Sequence, residues 1–368
     1  MKLNRIIIAG GGTGGHIFPA IAVANALRSL LPQLDVLFVG AQGKMEMEKV
    51  PQAGYRIEGL DIAGFNRSAW LKNWNLPFKL IKSFVQVRSI FNRFRPDAAF
   101  GVGGYSSFPV LRYAQQQHIP TFLHEANSFA GRSNKILAKH AALVMVGTPG
   151  MEQFFPSDTL LYTGNPIRKE ILSSVPDRSH ALQQFGLMMG KPTVLVMGGS
   201  LGARSINASM VNGIARLLQQ DIQVIWQTGK GHYPSLPEPL NAHKQLWVGE
   251  FIQHMPEAYA AADLVVSRAG AIALAEICAC GKPSILVPFP HAAEDHQTSN
   301  ARVLVDAGAA WWVRDADAER VLVDQIISMM QQPSLREQFS RAALGLAHRD
   351  ADRVIAEQII EKLATLHE

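Results

Sequence analysis

The sequence predicts an α/β protein made of two Rossmann-like domains, each built on a parallel sheet. Short apolar runs alternate with helix-length segments along most of the chain, which is typical of a parallel sheet covered by helices on both faces. The pattern opens twice in the same way, at residues 6–12 and 194–199, with an apolar strand running into glycines. A length of 368 residues supports two domains, because a single core stops growing at roughly 250–300 residues.

The first half contains five short apolar runs that predict buried strands. These runs span residues 5–9, 36–39, 98–102, 121–123 and 143–146. Helix-length stretches lie between them, at residues 20–31 and 79–94. This order of strands and helices favours parallel pairing.

A break at Gly164-Asn165-Pro166, followed by polar sequence, predicts a domain boundary. A second series of strands is predicted at residues 193–197, 222–226, 264–266 and 284–287. Residues 352–366 have apolar side chains at helical spacing. We therefore expect an N-terminal domain of residues 1–164, a C-terminal domain of residues 165–345, and a last helix within residues 346–368 that packs back on the N-terminal domain.

The composition excludes several classes of protein. A hydrophobic fraction of 48% rules out a disordered chain, and 30 glycines with 20 prolines show no fibrous period. No stretch approaches the roughly 20 apolar residues that span a bilayer, and the N-terminal apolar run is too short for a secretion signal. Cys278 and Cys280 lie two apart in a helix-like run, so we expect no disulfide and a reducing compartment.

The first glycine cluster, Gly10 to Gly15, follows a strand and precedes a helix, as a dinucleotide site would. A dehydrogenase carries an acid at the end of its second strand, but Asp35 precedes that strand and would lie at the wrong end of the sheet. Two interpretations of this cluster remain. One is a turn that binds no ligand, and the other is a loop that a polar ligand approaches closely. His16 directly follows the loop, so it is a candidate general base, with a helix cap as the alternative.

The second cluster, Gly198 to Arg204, also joins a strand to a helix. Backbone N–H groups and the helix dipole there favour an anion, and Ser200 adds a hydroxyl donor. The loop lacks the G-K-[ST] of a P-loop, which disfavours ATP hydrolysis. It fits a diphosphate leaving group, with a purely structural turn as the alternative.

Two further polar features follow predicted strands of the second half. Glu276 is an isolated acid among apolar and small residues, and a ribose diol could donate the hydrogen bonds that a buried carboxylate needs. The alternative is that Glu276 lies on a solvent-exposed face of a helix. Residues 291–297 are rich in His, Glu and Asp, but their spacing matches no standard metal site, so we expect recognition of hydroxyl groups and no metal.

Residues 62–96 carry seven positive charges and no negative one, so the rest of the chain is close to neutral although the total is +5. A row formed by Leu80, Phe84, Val87 and Phe91 is expected to face the core. The other basic and apolar side chains predict a membrane-facing surface. This set comprises Trp70, Lys72, Trp74, Phe78, Lys79, Ile81 and Lys82. A surface for single-stranded nucleic acid and an ordinary solvated helix are the alternatives.

Seven motifs occur in a fixed order along nearly the whole chain. They are Gly11-Gly12-Thr13-Gly14-Gly15-His16, Gly103-Gly104-Tyr105, His124-Glu125 with Asn127, Gly164-Asn165-Pro166 with Arg168, Gly198-Gly199-Ser200-Leu201-Gly202-Ala203, Ser267-Arg268-Ala269-Gly270-Ala271 with Glu276, and Asp295-His296-Gln297. With these motifs the chain resembles the GT-B N-acetylglucosaminyltransferases of bacterial peptidoglycan synthesis. Each motif alone is weak, but seven in the same order are specific.

The resemblance implies a GT-B fold, in which two Rossmann-like domains have parallel sheets facing each other across a cleft. It implies an inverting, metal-independent transfer of GlcNAc from UDP-GlcNAc to the muramyl 4-hydroxyl of lipid I, giving lipid II, with no cofactor. It also implies a peripheral protein on the anionic cytoplasmic face of the bacterial inner membrane. Other cell-wall synthesis proteins are conceivable partners, and nucleic acid is not expected.

The same resemblance assigns roles to individual residues. His16 is the expected catalytic base, with Glu125 as the rival. Residues expected to bind the acceptor and the sugar are Thr13, Gly14, Gly15 and Asn127. Residues expected to bind the donor are Ser200 at the diphosphate, Glu276 at the ribose, Gln297 at GlcNAc, Phe251 and Ile252 at the uracil through their backbone, and Arg168, Ala271 and Ile272 beside the nucleotide.

The chain departs from this family pattern at two positions. Ala126 stands where a glutamine is usual, and Ala273 stands where a threonine usually contributes a hydroxyl near the donor. The second change removes one hydrogen bond, worth on the order of 1 kcal/mol. Two other functions stay open. One is a UDP-GlcNAc 2-epimerase, which would not need the basic segment, and the other is a nucleic-acid-binding protein that uses it.

Overall fold

The computed structural model describes residues 2–12, 14–62, 76–173, 176–199, 201–232 and 243–366. The chain divides into two compact units. The first comprises Met1–Arg168 together with Asp350–Glu368, and the second comprises Lys169–Arg349. No helix among the described residues is long and apolar enough to cross a membrane.

A seven-stranded parallel sheet forms the centre of the first unit. Its strands are β1 (Arg5–Ala9), β2 (Asp35–Ala41), β3 (Arg56–Leu60), β4 (Ala98–Gly101), β5 (Thr121–Glu125), β6 (Leu143–Val146) and β7 (Leu160–Tyr162). They lie in the order β3-β2-β1-β4-β5-β6-β7, and every neighbouring pair is parallel. The strand order reverses between β1 and β4, and ligands of open α/β sheets bind at the carboxyl ends of such a pair.

Helices cover both faces of this sheet. They are α1 (Gly14–Leu30), α2 (Glu46–Gln52), α3 (Leu76–Phe94), α4 (Ser107–Gln116) and α5 (Arg132–Ala138). Side chains alternate along β1, as the pleat of a strand requires. Ile6 and Ile8 belong to the core beneath α1, whereas Ile7 and Ala9 belong to the core beneath α3, α4 and α5.

The second unit contains a six-stranded parallel sheet of order β10-β9-β8-β11-β12-β13. Its strands are β8 (Thr193–Met197), β9 (Gln223–Gln227), β10 (Leu246–Gly249), β11 (Leu264–Ser267), β12 (Ser284–Leu286) and β13 (Ala310–Trp312). Its helices are α6 (Lys169–Ser173), α7 (Arg178–Gln184), α8 (Arg204–Gln219), α9 (Met255–Ala261), α10 (Ala271–Ala279), α11 (His296–Asp306), α12 (Ala318–Met330) and α13 (Pro333–Gly345). Val194 and Val196 of β8 pack in one core with Ile206 of α8 and Leu322 of α12.

The last helix, α14 (Ala351–Thr365), belongs to the first unit. Its buried side chains Ile355 and Ile359 join the core that contains Val23 and Leu27 of α1. The first unit is therefore assembled from both ends of its chain, with the whole second unit inserted between them.

The two parallel sheets confirm the predicted fold class. The strands predicted at residues 5–9, 143–146 and 193–197 agree residue for residue with β1, β6 and β8. Helix α1 begins at Gly14, six residues before the predicted start, which places His16 in its first turn. The pattern does not predict β3, β7, β10 and β13, and these four are the edge strands of the two sheets. Cys278 is buried and Cys280 is partly buried, and both are free thiols.

Candidate active site

Two glycine-containing loops pack against each other at the carboxyl ends of β1 and β4. A Cβ at Gly10 would lie 2.2 Å from Cγ2 of Val102, and a Cβ at Gly104 would lie 2.3 Å from the carbonyl oxygen of Gly11. Gly104 also has a φ of +88°, which a residue with a side chain rarely adopts. Because only glycine fits at these points, the loop after β1 lies directly beside the loop after β4.

His16 lies half-buried where these two loops meet. Its Nδ1 atom is 3.2 Å from the carbonyl oxygen of Gly11. A carbonyl oxygen only accepts hydrogen bonds, so a hydrogen bond in this contact requires the proton on Nδ1 and leaves the lone pair on Nε2. A Cβ at Gly103 would lie 2.9 Å from Nε2, so this glycine leaves room for the ring. The arrangement suits a general base that takes up a proton at Nε2.

Glu125, at the end of β5, is buried and accepts four hydrogen bonds. Its Oε1 accepts from the backbone N–H and the side-chain amide of Asn127, at 3.1 and 3.2 Å. Its Oε2 accepts from the backbone N–H of Gly131 at 3.1 Å and from Nδ2 of Asn134 at 2.8 Å. A carboxylate has about four lone-pair positions, so all of them are used within the protein. Glu125 therefore organises the loop that carries Asn127.

The turn at Gly164-Asn165-Pro166 is tied to the same end of β5. Nε2 of His124 donates to the carbonyl oxygen of Gly164 at 3.1 Å, and Nδ2 of Asn165 donates to the carbonyl oxygen of Ala126 at 3.0 Å. Burial lowers the pKa of His124, outweighing the raising effects of its bond to Gly164 and of Glu125, so this histidine is neutral at pH 7. Its part in this region is to hold the turn.

The second glycine cluster lies at the carboxyl end of β8 and leads into α8. Gly202 has a φ of +76°, and a Cβ there would lie 2.3 Å from the carbonyl oxygen of Thr228. A Cβ at Gly229 would lie 2.1 Å from the backbone nitrogen of Gly202. The loops after β8 and β9 therefore touch backbone to backbone. The loop from Gly198 leads directly into the N-terminus of α8, a 16-residue helix. Backbone N–H groups and the helix dipole favour an anion at such a position.

Two predicted binding residues, Thr13 and Ser200, lie outside the described part of the chain. Their neighbours are described. Gly14 and Gly15 are the first two residues of α1, with Gly15 exposed.

Glu276 lies on α10 with its side chain buried. The hydroxyl group of Tyr259 donates to its Oε2 at 3.2 Å. A buried carboxylate needs such partners, because an ion without hydrogen bonds is costly to remove from water. Ala271 and Ile272 form the first turn of the same helix and are partly exposed.

Gln297 joins the loops that follow β11 and β12. Its Oε1 accepts from the backbone N–H groups of Ala269, at 3.2 Å, and Phe289, at 2.9 Å. Because the carbonyl oxygen takes both of these bonds, the N–H groups of the amide are what it can offer to a ligand hydroxyl. Gln297 thus links the loops after β11 and β12 and presents its amide N–H groups as hydrogen-bond donors.

The last of the predicted binding residues are Arg168 and the pair expected at the uracil, Phe251 and Ile252. Phe251 is 58% exposed, whereas the side chain of Ile252 is buried, so Ile252 can offer only its backbone to a ligand. The guanidinium carbon of Arg168 lies 5.5 Å from the ring centre of Phe18 on α1, within the first unit.

Comparison with known proteins identifies the family. The N-terminal domain of glycosyltransferase family 28 matches residues 6–146, and the C-terminal domain of that family matches residues 193–359. A relative from Bacteroides thetaiotaomicron is 47% identical over 364 residues, which cover 98% of each chain. The chain belongs to glycosyltransferase family 28. That relative is named UDP-N-acetylglucosamine--N-acetylmuramyl-(pentapeptide) pyrophosphoryl-undecaprenol N-acetylglucosamine transferase.

Solved structures agree with this family 28 assignment. The crystal structure of MurG from Acinetobacter baumannii is 26% identical to this chain and has a TM-score of 0.74. The match covers 98% of this chain and all of the other. The structure of a UDP-GlcNAc 2-epimerase from Neisseria meningitidis bound to UDP-GlcNAc has a TM-score of 0.68 at 14% identity, covering 98% of this chain and all of the other. At that identity the epimerase shares the fold alone.

Arg268 lies in one of the seven sequence motifs, but the sequence does not predict its role. Its guanidinium donates to the carbonyl oxygens of Val287 and Pro288, at 3.0 and 3.3 Å, and to Oγ of Ser205 at 3.2 Å. It also forms an ion pair with Asp315. Arg268 therefore ties the end of β11 to the end of β12 and to the start of α8. Such a network is long-range, so no local spacing reveals it.

Glu46 is a second residue that the sequence analysis does not single out. Its buried carboxylate accepts a hydrogen bond from the backbone N–H of Gly12, in the first glycine loop of this family 28 chain. The available signal is weak, because it is one acid, between Met45 and Met47, shortly after a strand.

The basic segment of this family 28 protein is partly neutralised by acids that precede it. Lys79 and Lys82 of α3 pair with Asp61, at 3.6 and 2.7 Å, and Arg93 pairs with Glu58 at 2.6 Å. A charge count within residues 62–96 omits both acids. The count therefore overstates the net positive charge that these three side chains contribute.

Exposed apolar side chains remain on α3. Ile81 is 65% exposed, and Val85 is exposed beside it. Leu80 is 37% exposed, so the expectation that it faces the core is wrong. Ser83 is buried in its place, and its hydroxyl donates to the carbonyl oxygen of Leu80 at 2.6 Å. The predicted membrane residues that lie outside the described part of the chain are Trp70, Lys72 and Trp74, together with the side chain of Phe78.

Metal-ligand clusters were a further possibility raised by residues 291–297. Within the described residues, no group of three or more His, Cys, Asp or Glu side chains is placed to hold a metal ion.

Proposed function

We propose that this chain transfers GlcNAc from UDP-GlcNAc to the muramyl 4-hydroxyl of undecaprenyl-diphospho-MurNAc-pentapeptide, lipid I, and so forms lipid II. The observation that carries this proposal is the 47% identity, over 98% of both chains, to a relative named for that reaction. The glycine loops and the polar residues after the strands supply groups that suit the chemistry. A UDP-GlcNAc 2-epimerase shares only the fold at 14% identity, so it is the weaker candidate.

The proposed reaction is a single displacement with inversion at the anomeric carbon. The acceptor hydroxyl gives its proton to Nε2 of His16 while its oxygen attacks C1 of GlcNAc. The bond from C1 to the diphosphate oxygen breaks, and UDP leaves with the electron pair. His16 suits this role because its contact with Gly11 keeps the proton on Nδ1 and the lone pair on Nε2. Glu125 suits it poorly, since four donors already occupy its oxygens.

The leaving diphosphate acquires negative charge, which we propose is stabilised by the loop from Gly198 and the N-terminus of α8. These groups would take the place of a metal ion. Glu276 would accept hydrogen bonds from the ribose diol, and Gln297 would donate to hydroxyls of GlcNAc. The backbone of Phe251 and Ile252 would bind the uracil.

We further propose that the protein works as a peripheral protein on the cytoplasmic face of the bacterial inner membrane. Support comes from the exposed Ile81 and Val85 on a helix that also carries cationic side chains. Apolar side chains of this kind enter the lipid headgroup region, and cations are attracted to anionic lipids. A lipid-linked acceptor would then be within reach of the protein.

The decisive experiment incubates the protein with UDP-[¹⁴C]GlcNAc and a lipid I analogue and follows label in the lipid product. We expect a β-linked disaccharide, and we expect EDTA to leave turnover unchanged. Release of UDP and an epimerised sugar from UDP-GlcNAc alone would identify the epimerase instead.

A His16→Ala variant tests the base. Its turnover should fall by roughly two to four orders of magnitude, while binding of UDP-GlcNAc is retained. Near-normal turnover in this variant would contradict the assignment of His16.

A further inference from the structure

Glu46 is the most completely enclosed carboxylate near the first glycine loop. It is the first residue of α2 and is only 1% exposed. Its Oε2 accepts from the backbone N–H of Gly12 at 2.9 Å, and its Oε1 accepts from the backbone N–H of Ala41 at 3.0 Å. The side chain thus joins the end of β2 to the loop after β1.

The surrounding backbone is shaped to admit this side chain. A Cβ at Gly11 would lie 2.1 Å from Oε1 of Glu46, and a Cβ at Gly40 would lie 2.5 Å from its Cγ. Two glycines therefore provide the space that the carboxylate and its methylene group fill. A carboxylate placed only to favour the start of α2 would not need this enclosure.

The hydrogen bond from Gly12 connects Glu46 to His16 through one peptide group. The N–H of Gly12 and the carbonyl group of Gly11 belong to the same peptide unit. Its N–H donates to Glu46, and its carbonyl oxygen lies 3.2 Å from Nδ1 of His16. A negative charge at the N–H end polarises the peptide group and makes the carbonyl oxygen a stronger acceptor, because successive hydrogen bonds reinforce each other.

We propose that Glu46 is a positioning residue that holds His16 in its Nδ1–H tautomer through the Gly11–Gly12 peptide group. The inference rests on the proposed function, because it assigns a purpose to the base of that reaction. In hydrolases with a Ser-His-Asp triad, a carboxylate contacts the histidine directly and fixes its tautomer. Here the peptide group stands between the two side chains. The carboxylate also holds the glycine loop that carries the contact.

The test uses Glu46→Gln, which removes the charge and one of the two acceptors at nearly constant volume. We expect kcat for GlcNAc transfer to fall by about 10- to 100-fold, the range seen when a group that orients the ligands of a metal site is lost. KM for UDP-GlcNAc should not change. Glu48→Gln is the matched control, since it removes the same charge from an exposed position on the same helix and should leave kcat unchanged.

A double-mutant cycle with His16→Ala separates positioning from general loop damage. If Glu46 acts through His16, Glu46→Gln should add no further loss in the His16→Ala background. Losses that multiply in the double variant would overturn the proposal while leaving the proposed function intact. Absence of transfer by the wild-type protein would instead remove the function itself.

A measurement on the wild-type protein does not depend on how any variant folds. In protein labelled with ¹⁵N-histidine, the ring nitrogens of His16, assigned by their loss in His16→Ala, should report a protonated Nδ1 and an unprotonated Nε2 in the neutral ring. In Glu46→Gln the second tautomer should appear. A wild-type ring protonated at Nε2 would refute the proposal.

Discussion

Replacing Glu125 by glutamine separates the two candidate bases, because the structure predicts a defect in folding stability. The carboxylate accepts four hydrogen bonds, two on each oxygen. Glutamine keeps one oxygen, so two of the four donors lose their acceptor and face an NH₂ group instead. A buried hydrogen bond to a charged group contributes about 1.5–3 kcal/mol, so the free energy of unfolding should fall by about 3–6 kcal/mol.

That loss is large beside the 5–15 kcal/mol that stabilise a typical domain. For a domain of this size, at about 2–4 °C per kcal/mol, the loss corresponds to a drop in Tm of roughly 6–24 °C. Thermal unfolding followed by circular dichroism measures the change, with Glu152→Gln, an exposed glutamate of the same unit, as the control. Transfer activity is measured in parallel at a temperature where both variants are folded. A Glu125→Gln protein with the wild-type Tm, but with turnover reduced by roughly three orders of magnitude, would refute this reasoning and make Glu125 the base.

Three further predictions concern the donor, the membrane and pH. Glu276→Ala should weaken binding of UDP-GlcNAc by about 10- to 100-fold in calorimetric titration, because it removes a charged acceptor, and a loss of kcat with unchanged affinity would count against the ribose role. Ile81→Asp should lower partitioning onto anionic vesicles by roughly tenfold, since an added negative charge alone costs about 1 kcal/mol there. Met189→Asp, at an exposed position of the second unit, is the control and should have no effect. Because burial lowers the pKa of His124 below its ordinary 6.5, the unfolded chain binds the extra proton first, and the denaturant midpoint should fall as pH drops below about 6.5. His124→Gln should flatten that dependence, and an unchanged slope would show that other groups cause it.

Central strands of both sheets are predictable from sequence because they are buried on both faces. After one polar residue each, the strands β1 and β8 are continuous apolar runs, and both appear at the predicted residues. The edge strand β3 reads Arg-Ile-Glu-Gly-Leu and is mostly half-buried, so it lacks such a run. The same holds for β10, all of whose residues are only partly buried. Edge strands are defined by their neighbours in the sheet, and a linear pattern does not contain that information.

The candidate site also contains features that the sequence predicts and features that it does not. Glycine loops after strands are local signals, and His16 and Glu276 stand out because polar residues are rare in such places. The contacts that decide what these residues can do are long-range. Glu46 reaches Gly12 across 34 positions of sequence, and Arg268 reaches Asp315 across 47. Neither contact follows from spacing, because each depends on which strand ends lie side by side.

The position of α14 has a consequence for the order in which the protein is made. Its apolar face completes the core beneath α1, yet it is synthesised only after all of Lys169–Arg349. At 5–20 residues per second this delay is roughly 10–40 s. During that time the nascent first unit exposes the surface that Ile355 and Ile359 will cover, while the second unit can already fold. If synthesis stops before α14 is made, the first unit is therefore the part of the released chain that stays incomplete. That unit, and not the second one, is then accessible to chaperones and proteases.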